Sequence, residues 1–223
     1  MKRSFLTVLI VALALVAQTA SAGQVSFDFA SLTGASIKFT GTGDKIEFPN
    51  APLGYDFAIT DATSPGLAGL SGNIGGTFVV GTISSPLSGV EQALVTTSNG
   101  SFSVYDGVTA SLTADLDWKD ITVYNKLSGV MNGTGIANLS NIAYTRSNSD
   151  LVAIRDGQQQ TVVLTFQFSP LKKKSLTDLM TDGQVNSTSY SGSLSSVPEP
   201  SALVLLAGAA IGLVAFVRRR KTA

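Results

Sequence analysis

The sequence predicts an all-β fold for most of the 223-residue chain, an antiparallel β-sandwich or barrel. The first observation behind this prediction is strict alternation over residues 108–118, where apolar residues occupy every even position and polar residues every odd one. Alternation of this length is typical of a half-buried strand. The second observation is a succession of short apolar runs separated by turn residues, without a long segment of helical periodicity.

The predicted strands follow one another along the middle of the chain. They cover residues 25–29, 37–39, 78–83, 102–105, 108–118, 136–144, 151–154 and 161–168. After Trp118 the alternation changes phase at Lys119-Asp120, which predicts a bulge or a corner that turns Ile121 and Val123 inward.

Turn residues separate these runs. They form four predicted turns, at residues 41–44, 72–76, 132–133 and 156–157. The Asp156-Gly157 pair lies between two apolar runs and therefore predicts a β-hairpin.

One short helix is predicted over residues 176–182. Ser175 can cap its N-terminus together with Asp178, and Gly183 can end it. Residues 185–194 then predict a final strand, so that the exported β domain covers residues 23–194 and a Ser-rich linker with a Pro-Glu-Pro motif covers residues 195–200.

Charge and composition disfavour several kinds of partner and site. Six of the 15 basic residues lie at the two ends, so the segment between them has nine basic and 15 acidic residues, a net charge of −6. This charge disfavours nucleic acid or anionic lipid as a partner. The chain has no cysteine and no histidine, so it lacks disulfides and the commonest general base and metal ligand. We expect no cofactor and no metal.

Residues 1–22 have the pattern of a secretory signal peptide. A short positive region, Lys2-Arg3, precedes an apolar run over residues 5–17. The small residues Ala20 and Ala22 then precede Gly23, as a signal peptidase requires.

We predict that the mature chain begins at Gly23, because cleavage after Ala22 fits this pattern. Mass spectrometry of the exported protein should find Gly23 as its first residue. A terminal peptide that begins at Met1 or Lys2 in exported material would contradict this prediction.

Three signals follow one another at the C-terminus. The first is Val197-Pro198-Glu199-Pro200, where two prolines favour an extended segment without backbone pairing. The second is residues 201–217, which are uncharged and predict a transmembrane helix of about 25 Å. The third is the basic cluster Arg218, Arg219, Arg220 and Lys221, which places the C-terminus in the cytoplasm.

In this order the three signals resemble the PEP-CTERM sorting signal of Gram-negative bacteria, over about the last 26 residues. The resemblance implies recognition by an exosortase, a multi-span membrane enzyme of the cysteine-transpeptidase kind, which processes the tail near Pro198-Glu199-Pro200. It also implies an exported precursor anchored in the inner membrane and a final location at the cell surface or in the extracellular matrix. Such proteins are associated with bacteria that make exopolysaccharide, biofilms or flocs.

No residue set in the sequence forms a convincing catalytic site. Residues 169–172 have the spacing of a serine–lysine nucleophile, but the accompanying motifs of that family are absent. Asp115 and Asp117 share one face of the longest predicted strand, and Asp120 follows just after the change of phase. They fit solvated strand carboxylates better than a Ca²⁺ site or a glycosidase pair.

We therefore expect a non-enzymatic surface or matrix protein whose partner is polysaccharide or other matrix protein. Two alternatives remain open. One is a secreted carbohydrate-active enzyme that uses paired carboxylates, and the other is a single-span membrane protein whose tail is never processed.

Overall fold

The computed structural model describes residues 25–49, 54–107, 111–125, 131–157, 160–168 and 175–196. Its elements in chain order are β1 (Ser26–Ser31), β2 (Ile37–Thr40), β3 (Lys45–Glu47), β4 (Phe57–Ala62), β5 (Ser71–Val80), β6 (Ser84–Leu87), β7 (Val90–Tyr105), β8 (Ser111–Asn125), β9 (Met131–Ala143), α1 (Ser149–Asp156), β10 (Gln160–Phe168), α2 (Leu176–Leu179), β11 (Val185–Thr188) and β12 (Tyr190–Ser196). The predicted signal peptide, Pro-Glu-Pro motif, transmembrane helix and basic tail lie outside the described residues. Neither α1 nor α2 has the length and apolar character that crossing a membrane requires.

The twelve strands form one antiparallel sheet, which confirms the predicted all-β antiparallel fold. Their order is β11-β2-β3-β5-β4-β1-β12-β10-β9-β8-β7-β6. In addition, β5 pairs with β7, so eight strands close into a hydrogen-bonded ring. The strands β3, β2 and β11 extend from one edge of β5, and β6 extends from β7.

Inward side chains of the ring strands form the core together with buried side chains of β2, β3, α1 and α2, and β8 follows the predicted alternation. On β8 the side chains of Leu112, Ala114, Leu116 and Trp118 are buried. The pairing of β8 with β9 shifts register between Trp118 and Asp120, after which Ile121 and Val123 are buried. The predicted bulge is therefore confirmed, whereas residues 108–110 of the predicted strand lie outside the described residues.

Two of the predicted turns are wrong, because their glycines lie within strands. Residues 72–76 belong to β5, where Gly76 has a φ of +124° and pairs with Gly100 of β7. Residues 132–133 belong to β9, where the ring of Phe166 covers Gly133 so closely that a Cβ would collide with it. In both places glycine allows close packing rather than a change of chain direction.

The predicted strand at residues 151–154 and the hairpin at Asp156-Gly157 are also wrong. These residues form α1, whose N-terminus is capped by the side chain of Asn148, which accepts hydrogen bonds from the backbone of Asp150 and Leu151. Leu151 and Ile154 lie three residues apart and are both buried, which a helix achieves on one face. The N–H of Gly157 donates to Ala153 O and ends the helix.

The predicted helix after Ser175 is confirmed, with the capping box between Ser175 and Asp178. It ends at Leu179, earlier than predicted. Residues 185–194 form two strands rather than one, because β11 pairs with β2 while β12 pairs with β1 and β10. The second strand continues to Ser196, so Ser195 and Ser196 lie in β12 and not in a linker.

Candidate functional site

Hydroxyl side chains form a row across four neighbouring strands on the outer face of the ring. Thr122 of β8 lies opposite Thr134 of β9, which lies opposite Thr165 of β10, which lies opposite Ser191 of β12. Directly opposite residues of antiparallel strands point to the same side of the sheet. The row therefore presents one hydroxyl per strand, while the alternate residues face the core.

Three adjoining depressions run along this face. The first has a volume of about 790 Å³ and is lined by Tyr124, Asn132, Thr134, Thr165 and Ser191 among others. The second, of about 360 Å³, shares Ala30, Thr165 and Ser191 with the first, and the third, of about 150 Å³, shares Asp28 with the second. Because neighbouring depressions share lining residues, they form one open track, which we call the outer groove.

Two hydroxyls of the groove, those of Thr165 and Ser191, contact each other. The Oγ atoms of Thr165 and Ser191 lie 2.7 Å apart, and the Thr165 hydroxyl can also donate to Ser191 O at 3.2 Å. Thr165 and Ser191 are exposed. Each hydroxyl can donate one hydrogen bond and accept two, so the row keeps free capacity for a polar ligand.

An aromatic side chain stands at one end of the groove. Tyr124 lies on the outer face of β8 with 41% of its surface exposed. Its strand neighbour Val123 points into the core and fixes this part of β8 against the sheet. Tyr124 thus offers an apolar ring face and a polar hydroxyl beside the row of hydroxyls.

Two carboxylates stand at the other end. Asp28 of β1 lies directly opposite Asp61 of β4, and both are exposed. The Asp61 carboxylate accepts a hydrogen bond from the Ala62 N–H at 2.8 Å. Thr60, beside them, donates from its hydroxyl to Asp28 O at 3.3 Å.

A buried tyrosine lies beneath the first depression. Tyr190 packs edge-on against Phe48, and its hydroxyl has no hydrogen-bond partner among the described residues. Burial raises the pKa of Tyr190 strongly, and the nearby Asp56 raises that pKa further. The phenol therefore stays protonated at neutral pH and cannot serve as a base.

The carboxylates singled out in the sequence lie elsewhere on the outer face. Asp117 pairs with Lys119, and Asp115 accepts a hydrogen bond from Asn141 at 2.7 Å. Asp120 is half-buried, and this burial raises the pKa of its carboxyl group. Within the described ranges, no three acidic, histidine or cysteine side chains lie close enough together to hold a metal ion.

The remaining predicted site residues lie outside the described ranges. They are the signal peptidase site Ala20, Ala22 and Gly23, the sorting motif Val197, Pro198, Glu199 and Pro200, and the basic cluster Arg218, Arg219, Arg220 and Lys221. The outer groove, in contrast, was missed by the sequence reasoning. Alternation over residues 161–168 places Thr165 on the polar face, but only the strand register brings it beside Thr134 and Ser191.

Comparison with known proteins identifies the C-terminal segment. Residues 196–221 match the family model of the PEP-CTERM protein-sorting motif. The chain carries a PEP-CTERM sorting motif. The match has the position and extent that the resemblance predicted, and it indicates an exported protein that an exosortase sorts. No curated protein and no solved structure matches the chain.

Proposed function

We propose that this chain is a cell-surface or extracellular-matrix protein, sorted by an exosortase, whose β domain binds polysaccharide without catalysing a reaction. The PEP-CTERM match supports export and sorting. The observation that carries the binding role is the outer groove, because its length, openness and hydroxyl lining suit an extended polar polymer.

The groove runs obliquely across the strands, because its lining on β1 shifts from Ser31 in the first depression to Ser26 in the third. Its lining residues come from β8, β9, β10, β12, β1 and β4, which are consecutive neighbours in the sheet. With neighbouring strands about 4.8 Å apart, the groove spans about 24 Å when measured across the sheet. That length accommodates several sugar units of an extended chain and exceeds what a monosaccharide needs.

The lining chemistry also fits sugars. Rows of hydroxyls such as Thr134, Thr165 and Ser191 exchange hydrogen bonds readily with the hydroxyls of a sugar ring. The ring of Tyr124 can pack against the C–H face of a sugar while its hydroxyl remains hydrated. An open groove of this kind lets a long polymer enter from the side without threading an end.

A second candidate function, a carbohydrate-active enzyme, is favoured by one observation, the presence of Asp28 and Asp61 in the groove. Glycoside hydrolases place two carboxyl groups on either side of the scissile bond. Asp28 and Asp61 instead lie side by side on adjacent strands. We therefore favour binding over hydrolysis, and release of reducing sugar ends by the purified protein would reverse this preference.

We predict that Tyr124→Ala weakens binding to the exopolysaccharide of the producing bacterium by about tenfold, because it removes the aromatic platform of the groove. Affinity is measured by co-sedimentation of the purified exported protein with the polymer. Leu94→Ala is the matched control, since Leu94 is also an exposed outward residue but lines none of the three depressions. Equal affinity of wild type and Tyr124→Ala would contradict a binding role for the groove.

A further inference from the structure

We infer that the outer groove selects polysaccharides that carry free amino groups and disfavours polymers of uronic acids. This inference rests on the proposed function, and it names the class of polymer that the same groove takes. Its basis is the carboxylate pair formed by Asp28 and Asp61 at the end of the groove.

A β-bulge creates this pair. Ile59 pairs with Phe29, and Asp61 pairs with Asp28, so Thr60 is an extra residue without a partner on β1. Ile59 is buried, whereas Thr60 and Asp61 are both exposed. In a regular strand Thr60 would lie opposite Asp28, and the Asp61 side chain would point toward the core. The bulge therefore places the Asp61 carboxylate on the same face as Asp28.

The arrangement is unfavourable for the protein alone. Two like charges directly opposite each other on neighbouring strands repel and destabilise the pairing. Of the five lysines and arginines in the described ranges, none lines any of the three depressions. None of these five therefore lies in the groove to balance the two negative charges. A cation delivered by the ligand would relieve this repulsion, and a ligand carboxylate would increase it.

An ammonium group fits the pair better than a metal ion does. Ca²⁺ takes six to eight oxygen ligands and is usually held by more than two carboxylates and carbonyls. Among the described residues no third acidic side chain joins Asp28 and Asp61. The hydroxyls of Ser26, Thr63 and Ser193, which line the same end, suit the hydroxyls that flank an amine on a sugar ring.

The experiment measures the affinity of the purified exported protein for three oligosaccharides of equal length. They are made of glucosamine, of N-acetylglucosamine and of a uronic acid. We expect wild type to bind the glucosamine oligomer about fivefold more tightly than the N-acetylated one, and the uronic acid oligomer most weakly. The difference should shrink as salt is added, since exposed charges are screened.

The double variant Asp28→Asn/Asp61→Asn tests the residues. Asparagine keeps the shape and the acceptor for the Ala62 N–H, so the variant should retain affinity for the N-acetylated oligomer and lose the fivefold preference. The double variant Asp44→Asn/Asp182→Asn removes the same two charges from exposed positions outside the groove. This control separates a local effect from the net charge of the domain and should keep the preference.

Each other outcome overturns the inference in a recognisable way. Equal loss of preference in both double variants would assign it to net charge. Loss of the preference when Ca²⁺ replaces Na⁺ at equal ionic strength would assign the pair to a metal ion. If all three oligomers bind equally, the amine selectivity is wrong while polysaccharide binding stands, and if none binds, the proposed function fails with it.

Discussion

Replacing Trp118 by alanine should lower the free energy of unfolding of the β domain by about 3–5 kcal/mol. Trp118 is the one tryptophan of the chain, and its side chain is fully buried. Its ring lies 5.1 Å from that of Phe78 and 5.9 Å from that of Phe48, measured between centroids, and its Nε1 donates to Asp120 O at 2.6 Å. Truncation removes these contacts and leaves a cavity that the surrounding sheet cannot close.

Chemical denaturation followed by circular dichroism measures this loss, because the variant has no tryptophan to report by fluorescence. Tyr124→Ala is the matched control, since it truncates a partly exposed aromatic residue on the same strand and should cost less than about 1 kcal/mol. If the two variants lose the same stability, Trp118 is not a core residue. A native tryptophan emission maximum typical of full exposure would lead to the same conclusion.

The surroundings of Trp118 also show which parts of the fold can be predicted from the sequence. Burial of Leu112 to Trp118 on alternate positions, and of Ile121 and Val123 after the bulge, follows from apolar periodicity alone. Local chemistry was sufficient at Ser175 and Asp178 too, where the capping box depends only on residues three apart.

Other parts depend on partners that are distant in the sequence. Position 135 of β9 is occupied by glycine, because the indole of Trp118 fills the space where a side chain would be. From the sequence alone, a glycine that leaves room for a ring cannot be distinguished from a glycine that reverses the chain. The run from Leu151 to Ile154 is equally ambiguous, because a short apolar run fits either a strand or one turn of a buried helix.

The outer groove is even harder to predict from the sequence. Thr134, Thr165 and Ser191 are ordinary polar residues of three separate strands, and they become a row only through the register of the sheet. Asp28 and Asp61 meet because one extra residue in β4 changes the phase of the strand. In contrast, the sorting signal is contiguous, so the sequence revealed it directly.

The largest effect on the fate of the protein is expected from the Pro-Glu-Pro motif. Replacing Pro198, Glu199 and Pro200 by alanine should trap full-length protein in the inner membrane. A transmembrane helix requires apolar length, which residues 201–217 supply, so the prolines are not needed for insertion. We expect an exosortase to recognise the extended conformation that the two prolines favour, and alanine does not favour that conformation.

Fractionation with an epitope after Lys221, in a host that encodes an exosortase, measures this effect. In wild type the β domain should leave the membrane without the epitope, whereas the triple-alanine variant should keep epitope and domain together. Substituting Arg218, Arg219 and Arg220 by serine is the companion variant, and it should weaken orientation and retention because the cytoplasmic positive charge is lost. A host without the enzyme should make wild type behave like the triple-alanine variant. If wild type and the triple-alanine variant keep equal amounts of epitope in the inner membrane, the tail is a permanent anchor, and the alternative of an unprocessed single-span protein is correct.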